Sequence, residues 1–393
     1  MLKPKQNILT LLCLVVFILF NGSLCYGQSK GKESDHVSFA IAPVSEDFVV
    51  GKVLAVTSPA INQGLLHGAG LVSRQQIVKI KVLEGPYKDL ITDVTNDITD
   101  NPAYNIDLEP GREVILSVAS GGNKNASDST KPEINISDYH RAPIIYYLLA
   151  VFLIVFLVLG GKTGLKALAG LIITVLLIGY VLLPLSIAGV YPLITAVGIC
   201  LTSAIASMLL ICGFTRKALA AIIGTVCGVV IAGIVASLVI HHAPLTGLSS
   251  EEAQILRGSM IIAGQKPAFY RGLLAAGMLI GALGVIMDVA ISIASSVSEM
   301  SQVHKELNAA QLYKSGMNIG RDIMGTMTNT LILAYTGGAL PLLLLISQIP
   351  SNKLLNLDLV ATEVVSALSG SLGLILTIPL TALAAAKLMA KVK

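Results

Sequence analysis

The sequence predicts a polytopic α-helical membrane protein with a small extracytoplasmic β-rich domain. Three observations carry that prediction. Of 393 residues, 54% are hydrophobic and only 13% are charged, about half the charged share of an ordinary soluble domain. From Pro143 onward the chain is a series of apolar blocks, each near the ~20 residues that cross a bilayer. Residues 28–142 are different: polar, rich in turn residues, and without an apolar run of helix length.

The first stretch, 1–27, sets Lys3 and Lys5 before an apolar run from Ile8 to Phe20, followed by small and polar residues. That order reads as a signal peptide or a signal anchor, and both cleavage after Gly27 and retention fit it. Ser23-Leu24-Cys25 makes a poor lipoprotein box, because Leu rather than a small residue precedes the cysteine.

Within 28–142, Phe48–Val56 and Gln75–Gly85 alternate as half-buried strands do. In the second, Val78, Ile80 and Val82 share one face and Ile77, Lys79 and Lys81 the other. Leu90–Val94 and Glu113–Val118 are weaker strand candidates, and turns are marked at Gly85-Pro86, Asn101-Pro102 and Glu109-Pro110-Gly111. A small β-barrel or sandwich follows, joined to the membrane part by a flexible tether from Ser120 to Ser137. Asn125-Ala126-Ser127 and Asn135-Ile136-Ser137 match the glycosylation acceptor pattern and read as polar linker. The cysteines are Cys13, Cys25, Cys200, Cys212 and Cys227. None lies between 28 and 142, so no disulfide framework is expected, and they read as small packing residues.

From 143 to 393, spans are expected at about 144–160, 165–187, 192–213, 217–240, 272–296, 323–347 and 365–387. That makes seven, in addition to the N-terminal segment. With the β-rich domain outside, the inner connections carry 12 Lys and Arg and the outer ones 4. This bias supports that orientation and puts the C-terminus in the cytoplasm. There is no Trp, so Tyr139, Tyr146, Tyr147, Tyr191 and Tyr270 supply the interfacial aromatics. Gly224-x-x-x-Gly228, Gly277-x-x-x-Gly281 and Gly316-x-x-x-Gly320 read as helix-packing motifs. Pro184, Pro341 and Pro379 fall inside spans and mark kinks. The net charge of +4 is spread along the chain without a basic stripe, which argues against nucleic acid as a partner. The lipid bilayer is the expected one.

Two apolar helices hold the candidate site. The first carries Asp288, which begins a polar stripe with Ser292, Ser295 and Glu299. The second is GMNIGRDIMGTMTNTLILAY, Gly316 to Tyr335, with Arg321–Asp322 where its apolar part begins and Thr326, Thr328, Asn329 and Thr330 beyond. Asn318, Asp322, Gly325 and Asn329 share one helical face. Ionisable groups in spanning helices are costly and read first as functional. The leading reading makes Asp288 and Asp322 an ion or proton site, with Asn329 and threonine hydroxyls such as Thr326 as neutral oxygen ligands. Arg321 would hold or gate the acids. A second reading pairs Arg321 with an acid only to fasten the helices. A third, a proteolytic dyad, lacks the Gly-x-Gly-Asp arrangement, since Ile319-Gly320-Arg321 precedes Asp322. No enzyme is expected. His241-His242 with Glu251-Glu252 has no metal-ligand spacing, and the acids read as a helix start after Ser249-Ser250. Neither a metal nor a cofactor is expected, and no Walker-type lysine is present.

Two blocks carry a resemblance to the YibE/F family of bacterial membrane proteins. One is Gly281-Ala282-Leu283-Gly284-Val285-Ile286-Met287-Asp288-Val289-Ala290 with Ser292-Ile293-Ala294-Ser295. The other is Ile319-Gly320-Arg321-Asp322-Ile323-Met324-Gly325-Thr326-Met327 with Asn329-Thr330-Leu331-Ile332-Leu333-Ala334-Tyr335. The likeness runs over roughly residues 48–388, from Val82-Leu83-Glu84-Gly85 to Ile378-Pro379. It implies a multi-pass protein of a bacterial plasma membrane and supplies no substrate. The expected function is a transporter or permease for an ion or small solute. The alternative is a membrane scaffold or sensor whose outer domain binds an extracytoplasmic protein.

Overall fold

The computed structural model describes residues 46–58, 74–99, 105–119, 133–259, 264–347 and 349–390. The signal or anchor stretch and the Asn125 triplet lie outside these residues. Two compact units are present, one holding the β-sheet and continuing through Val155, the other running from Phe156 onward.

Five strands build the first unit: β1 (Glu46–Thr57), β2 (Arg74–Val82), β3 (Ile91–Ile98), β4 (Glu113–Ala119) and β5 (Glu133–Tyr139). All neighbours pair antiparallel, in the order β3-β2-β1-β4-β5. Strict alternation drives the pairing, since a one-residue slip would turn the apolar set outward. Val78, Ile80, Val82, Val114 and Leu116 are fully buried on the concave face, where a Cβ at Gly51 would lie 2.5 Å from Leu116. The sheet curls into a half-barrel, and Asn105–Leu108 ties its two edges. Gln76 donates to Asp107 Oδ1 (2.8 Å), while Asn96 Nδ2 and the Leu108 N–H donate to Gln76 Oε1 at 3.0 and 3.2 Å. Tyr139 on the opposite edge donates to the Asp107 carbonyl at 2.7 Å. The tether expected at Ser120–Ser137 is corrected at its end. Residues 133–139 form β5, because Ile134 and Ile136 alternate and β4 offers an unpaired edge. The Asn135 triplet therefore lies in a strand.

The helical part of the chain opens with α1 (Ala142–Leu177), whose residues through Val155 belong to the first unit, followed by a π-helical turn (Ile178–Leu182), α2 (Leu183–Ile187), α3 (Pro192–Cys212) and α4 (Arg216–His242). It continues with α5 (Glu251–Gly258), α6 (Pro267–Val303), α7 (Ala309–Gly338), α8 (Leu340–Ile346), α9 (Ser351–Leu354) and α10 (Asp358–Met389). By length and composition, five runs can cross a membrane, or six if α7 and α8 count as one span bent by 70°. The spans expected at 144–160 and 165–187 fall in one helical run, Ala142–Ile187, interrupted at Gly161 (φ 50°, ψ −135°). Phe156 and Gly164 would stand ~12 Å apart on a straight helix. A Cβ on Gly164 would instead lie 3.1 Å from the Phe156 carbonyl oxygen. The chain therefore folds sharply at a backbone geometry open chiefly to glycine.

The span expected at 323–347 is also corrected. α7 starts at Ala309, where Asn308 and Gln311 form a reciprocal capping box with 2.9 Å bonds. Arg321–Asp322 consequently sits in the middle of a 30-residue helix, and the apolar part breaks at Gly338–Ala339 ahead of Pro341, which cannot donate in the first turn of α8.

Small residues set the packing of the core. Cβ atoms at Gly224 and Gly228 would overlap Thr381 Oγ1 and Thr377 Oγ1, so α4 and α10 approach with backbones nearly touching. A Cβ on Gly316 would lie 2.9 Å from Val297 and 3.1 Å from Ala382, and one on Gly320 would overlap Ile378. Those two glycines seat α7 against both α6 and α10. Gly281 faces the tip of Tyr335, 2.7 Å from the position of its Cβ. Gly277 departs from the packing role expected of it: nothing lies within 4 Å of a Cβ there, because it borders a cavity.

Candidate functional site

On α6 the buried residues Ala282, Ile286, Val289, Ala290, Ile293, Ala294 and Val297 cover one broad side. The opposite side bares Gly277, Gly281, Gly284, Asp288 and Glu299. Their spacing of four, three, four and eleven keeps them within one helical face, with half-buried Ser292 and Ser295 between Asp288 and Glu299. Neither Gly277 nor Gly284 has an atom within 4 Å of its Cβ position. The stripe is thus a groove of glycines along an apolar helix, open at Gly277 and Gly284 and met by Tyr335 at Gly281, with a carboxylate near its middle.

α7 runs antiparallel to α6, and the Tyr335–Gly281 contact sets their register along this groove. Seven residues bring a helix back to nearly the same face. Seven residues further along the pair stand Asp288 on α6 and Thr328 on α7, on the faces that carry Gly281 and Tyr335. The Thr328 Oγ1 is shut off from solvent and, among the described residues, has no hydrogen-bond partner. Among the described residues, every ion pair within 4.0 Å lies in the β-domain or at its Arg141 edge. Asp288, Arg321 and Asp322 therefore make none.

The remaining expected ligands point elsewhere. Asp322 lies two residues, about 160° the other way round the helix, from the packed Gly320. Asn318, Gly325, Thr326 and Asn329 are exposed with it. The Thr326 hydroxyl donates to the Ile323 carbonyl at 2.9 Å. The structure thus divides the expected cluster. Asp288 belongs to the open face of α6, while Asp322, Thr326 and Asn329 lie on the outward side of α7.

A cavity of about 420 Å³ opens at the Gly277 end of the groove, lined by Gly277, Tyr335, Glu252, Thr362, Glu363 and Ser366 among others. Glu252 is placed by α5, whose Ser250 cap accepts from the Ala253 N–H at 3.3 Å. Thr246 orders the adjoining loop by donating to Asp358 Oδ2 at 2.6 Å. Sequence hydropathy starts the last span at about 365 and leaves Glu363 in a connection. α10 begins at Asp358, which puts Glu363 on the helix and half-buried. A carboxylate within two turns of an apolar helix start was the available signal.

The family model described as "YibE/F-like protein" matches residues 148–391, and the one described as "YibE/F family N-terminal domain" matches residues 49–139. No curated protein and no solved structure matches the chain.

Proposed function

We propose that this chain, which belongs to the YibE/F family, is a transporter or permease that passes an ion or small solute along the open face of α6. The supporting observation is the glycine groove Gly277–Gly281–Gly284–Asp288, open at Gly277 and Gly284 and holding a carboxylate that, among the described residues, has no ion-pair partner. Lipid packs poorly against such a face and solvates a carboxylate worse than water does. The path begins in the cavity beside Glu252 and Glu363, passes the Tyr335–Gly281 constriction, and reaches Asp288 and Thr328. Carboxylate and hydroxyl oxygens suit a hard cation or a proton. Ser292, Ser295 and Glu299 continue the path to the other end. Asp288 and Asp322 sit on faces turned apart, so we read no shared-proton dyad.

The same reading counts the two arms flanking Gly161 as separate spans and α7–α8 as one broken span, giving seven. The surplus of Lys and Arg then leaves the β-domain extracytoplasmic and the C-terminus cytoplasmic.

The test is cation and proton flux in proteoliposomes for wild type, Asp288→Asn and Gly284→Leu. A leucine at 284 fills the groove where no neighbour stands, so it blocks without disturbing the core. Flux in wild type that is lost in both folded variants supports the reading. Flux unchanged by Gly284→Leu, or absent from wild type for every cation, moves the protein to the scaffold role.

A further inference from the structure

The outward side of α7 has a pattern of its own. Asn318, Asp322, Gly325, Asn329, Ile332 and Thr336 follow spacings of four, three, four, three and four. That is the a/d repeat of a coiled-coil seam, with Asp322, Asn329 and Thr336 at a and Asn318, Gly325 and Ile332 at d. All but Ile332 are exposed. No atom lies within 4 Å of a Cβ on Gly325, so another backbone can approach closely there. Asn and Thr side chains drive association of spanning helices because each offers hydrogen bonds that lipid cannot return.

We infer that this seam is covered by α7 of a second copy of the chain, the two helices packing parallel about a two-fold axis normal to the membrane. Charge complementarity selects that occupant. In a parallel pair, an a residue enters a hole made by the partner's a residue, the flanking d residues and the preceding g residue. Asp322 occupies a and Arg321 occupies g, so each Asp322 meets the Arg321 of the other copy, twice by symmetry. Among the described residues neither charge has an ion-pair partner. One adjacent acid–base pair therefore becomes self-complementary only against itself in this orientation. The Asn329 side chains, at the next a position, meet each other as a-position asparagines do. Transport through the α6 groove is not required for this association, since the groove lies on another face of the unit.

Single cysteines placed at 318, 322, 325, 329, 332, 336 and, as off-seam positions, 326, 330 and 333 test the seam. The full chain with its native cysteines changed to Ser is oxidised in membranes from cells expressing two differently tagged copies. Disulfide yield should peak at a and d positions and join the two tags. Dimer content is also read by single-molecule photobleaching in liposomes at increasing lipid dilution. Arg321→Asp should lower, at least tenfold, the lipid dilution at which half the protein is dimeric. Arg321→Asp with Asp322→Arg should restore it. Disulfide yields without the four–three period, one-step bleaching of wild type at every lipid ratio, or adducts to another protein or within one chain in place of tag-to-tag links would overturn the inference.

Discussion

Replacing Gly228 by Ala should destabilise the helical unit, although alanine is the better helix former. A Cβ at 228 would overlap Thr377 Oγ1 and lie 3.0 Å from Ile286 Cγ2 and 3.2 Å from the Gly373 carbonyl oxygen. Thr377 is fully buried, and its hydroxyl donates to that carbonyl at 2.7 Å. It cannot rotate away without stranding a buried donor, at about 1–3 kcal/mol. Prying α4 from α10 instead costs a similar ~1–3 kcal/mol for overpacking. The gain in helix propensity returns about 1 kcal/mol. The net is a loss of up to about 2 kcal/mol, as much as about thirtyfold in the folded-to-unfolded ratio. Gly284→Ala is the matched control, since nothing lies within 4 Å of its Cβ. There the propensity term stands alone, and stability should rise by up to ~1 kcal/mol. Reversible SDS unfolding in mixed micelles, followed by far-UV circular dichroism, reads both. The two substitutions should differ in sign. Gly228→Ala at or above wild-type stability would refute the close approach of α4 and α10.

Other outcomes follow from separate parts of the molecule. Gln76 is 3% exposed and joins Asn96, Asp107 and Leu108. Gln76→Ala should cost the β-domain about 2–4 kcal/mol through unpaired buried groups, read by urea denaturation of residues 28–140. Asp89 is held below the ordinary carboxylate range by its hydrogen bond and ion pair with Lys81 at 2.7 Å. A depressed folded value means that its stabilisation is present above the unfolded pKa near 3.8 and is lost as pH falls through the lower folded value. Carboxylate NMR should show the Asp89 titration moving up in Lys81→Met; an unchanged titration would dismiss that pair. Gly161→Ala forces a Cβ into φ 50°, ψ −135°, and should lower stability by more than 1 kcal/mol. An unchanged melting curve would show that the fold at 161 does not depend on glycine.

Some of this architecture was legible before any coordinates. Alternation in Arg74–Val82 set which side of β2 is buried, because successive strand residues must point to opposite faces. Apolar blocks located the long helices α3 and α4 within two residues at each end and α6 and α10 within seven, because a bilayer-length apolar run has little alternative to a helix. β5 was hidden because its seven residues carry little apolar signal alone. Its existence depends on β4, which is more than a dozen residues away. The start of α7 was hidden by reading hydropathy where the decisive signal was the Asn308–Gln311 cap.

For the site, the sequence determined which polar residues share a helical face, since the helical period fixes their angular relations within one element. It could not determine how α7 is rotated against its neighbours. That rotation is set by Gly316 seating on Val297 and Ala382 and by Gly320 seating on Ile293 and Ile378, contacts with residues up to 66 positions away in the chain. Once those glycines face inward, Asp322 and Asn329 must face outward, and Asp288 is left to the groove on α6. Close packing of small residues, which no local pattern encodes, decided where each charge points.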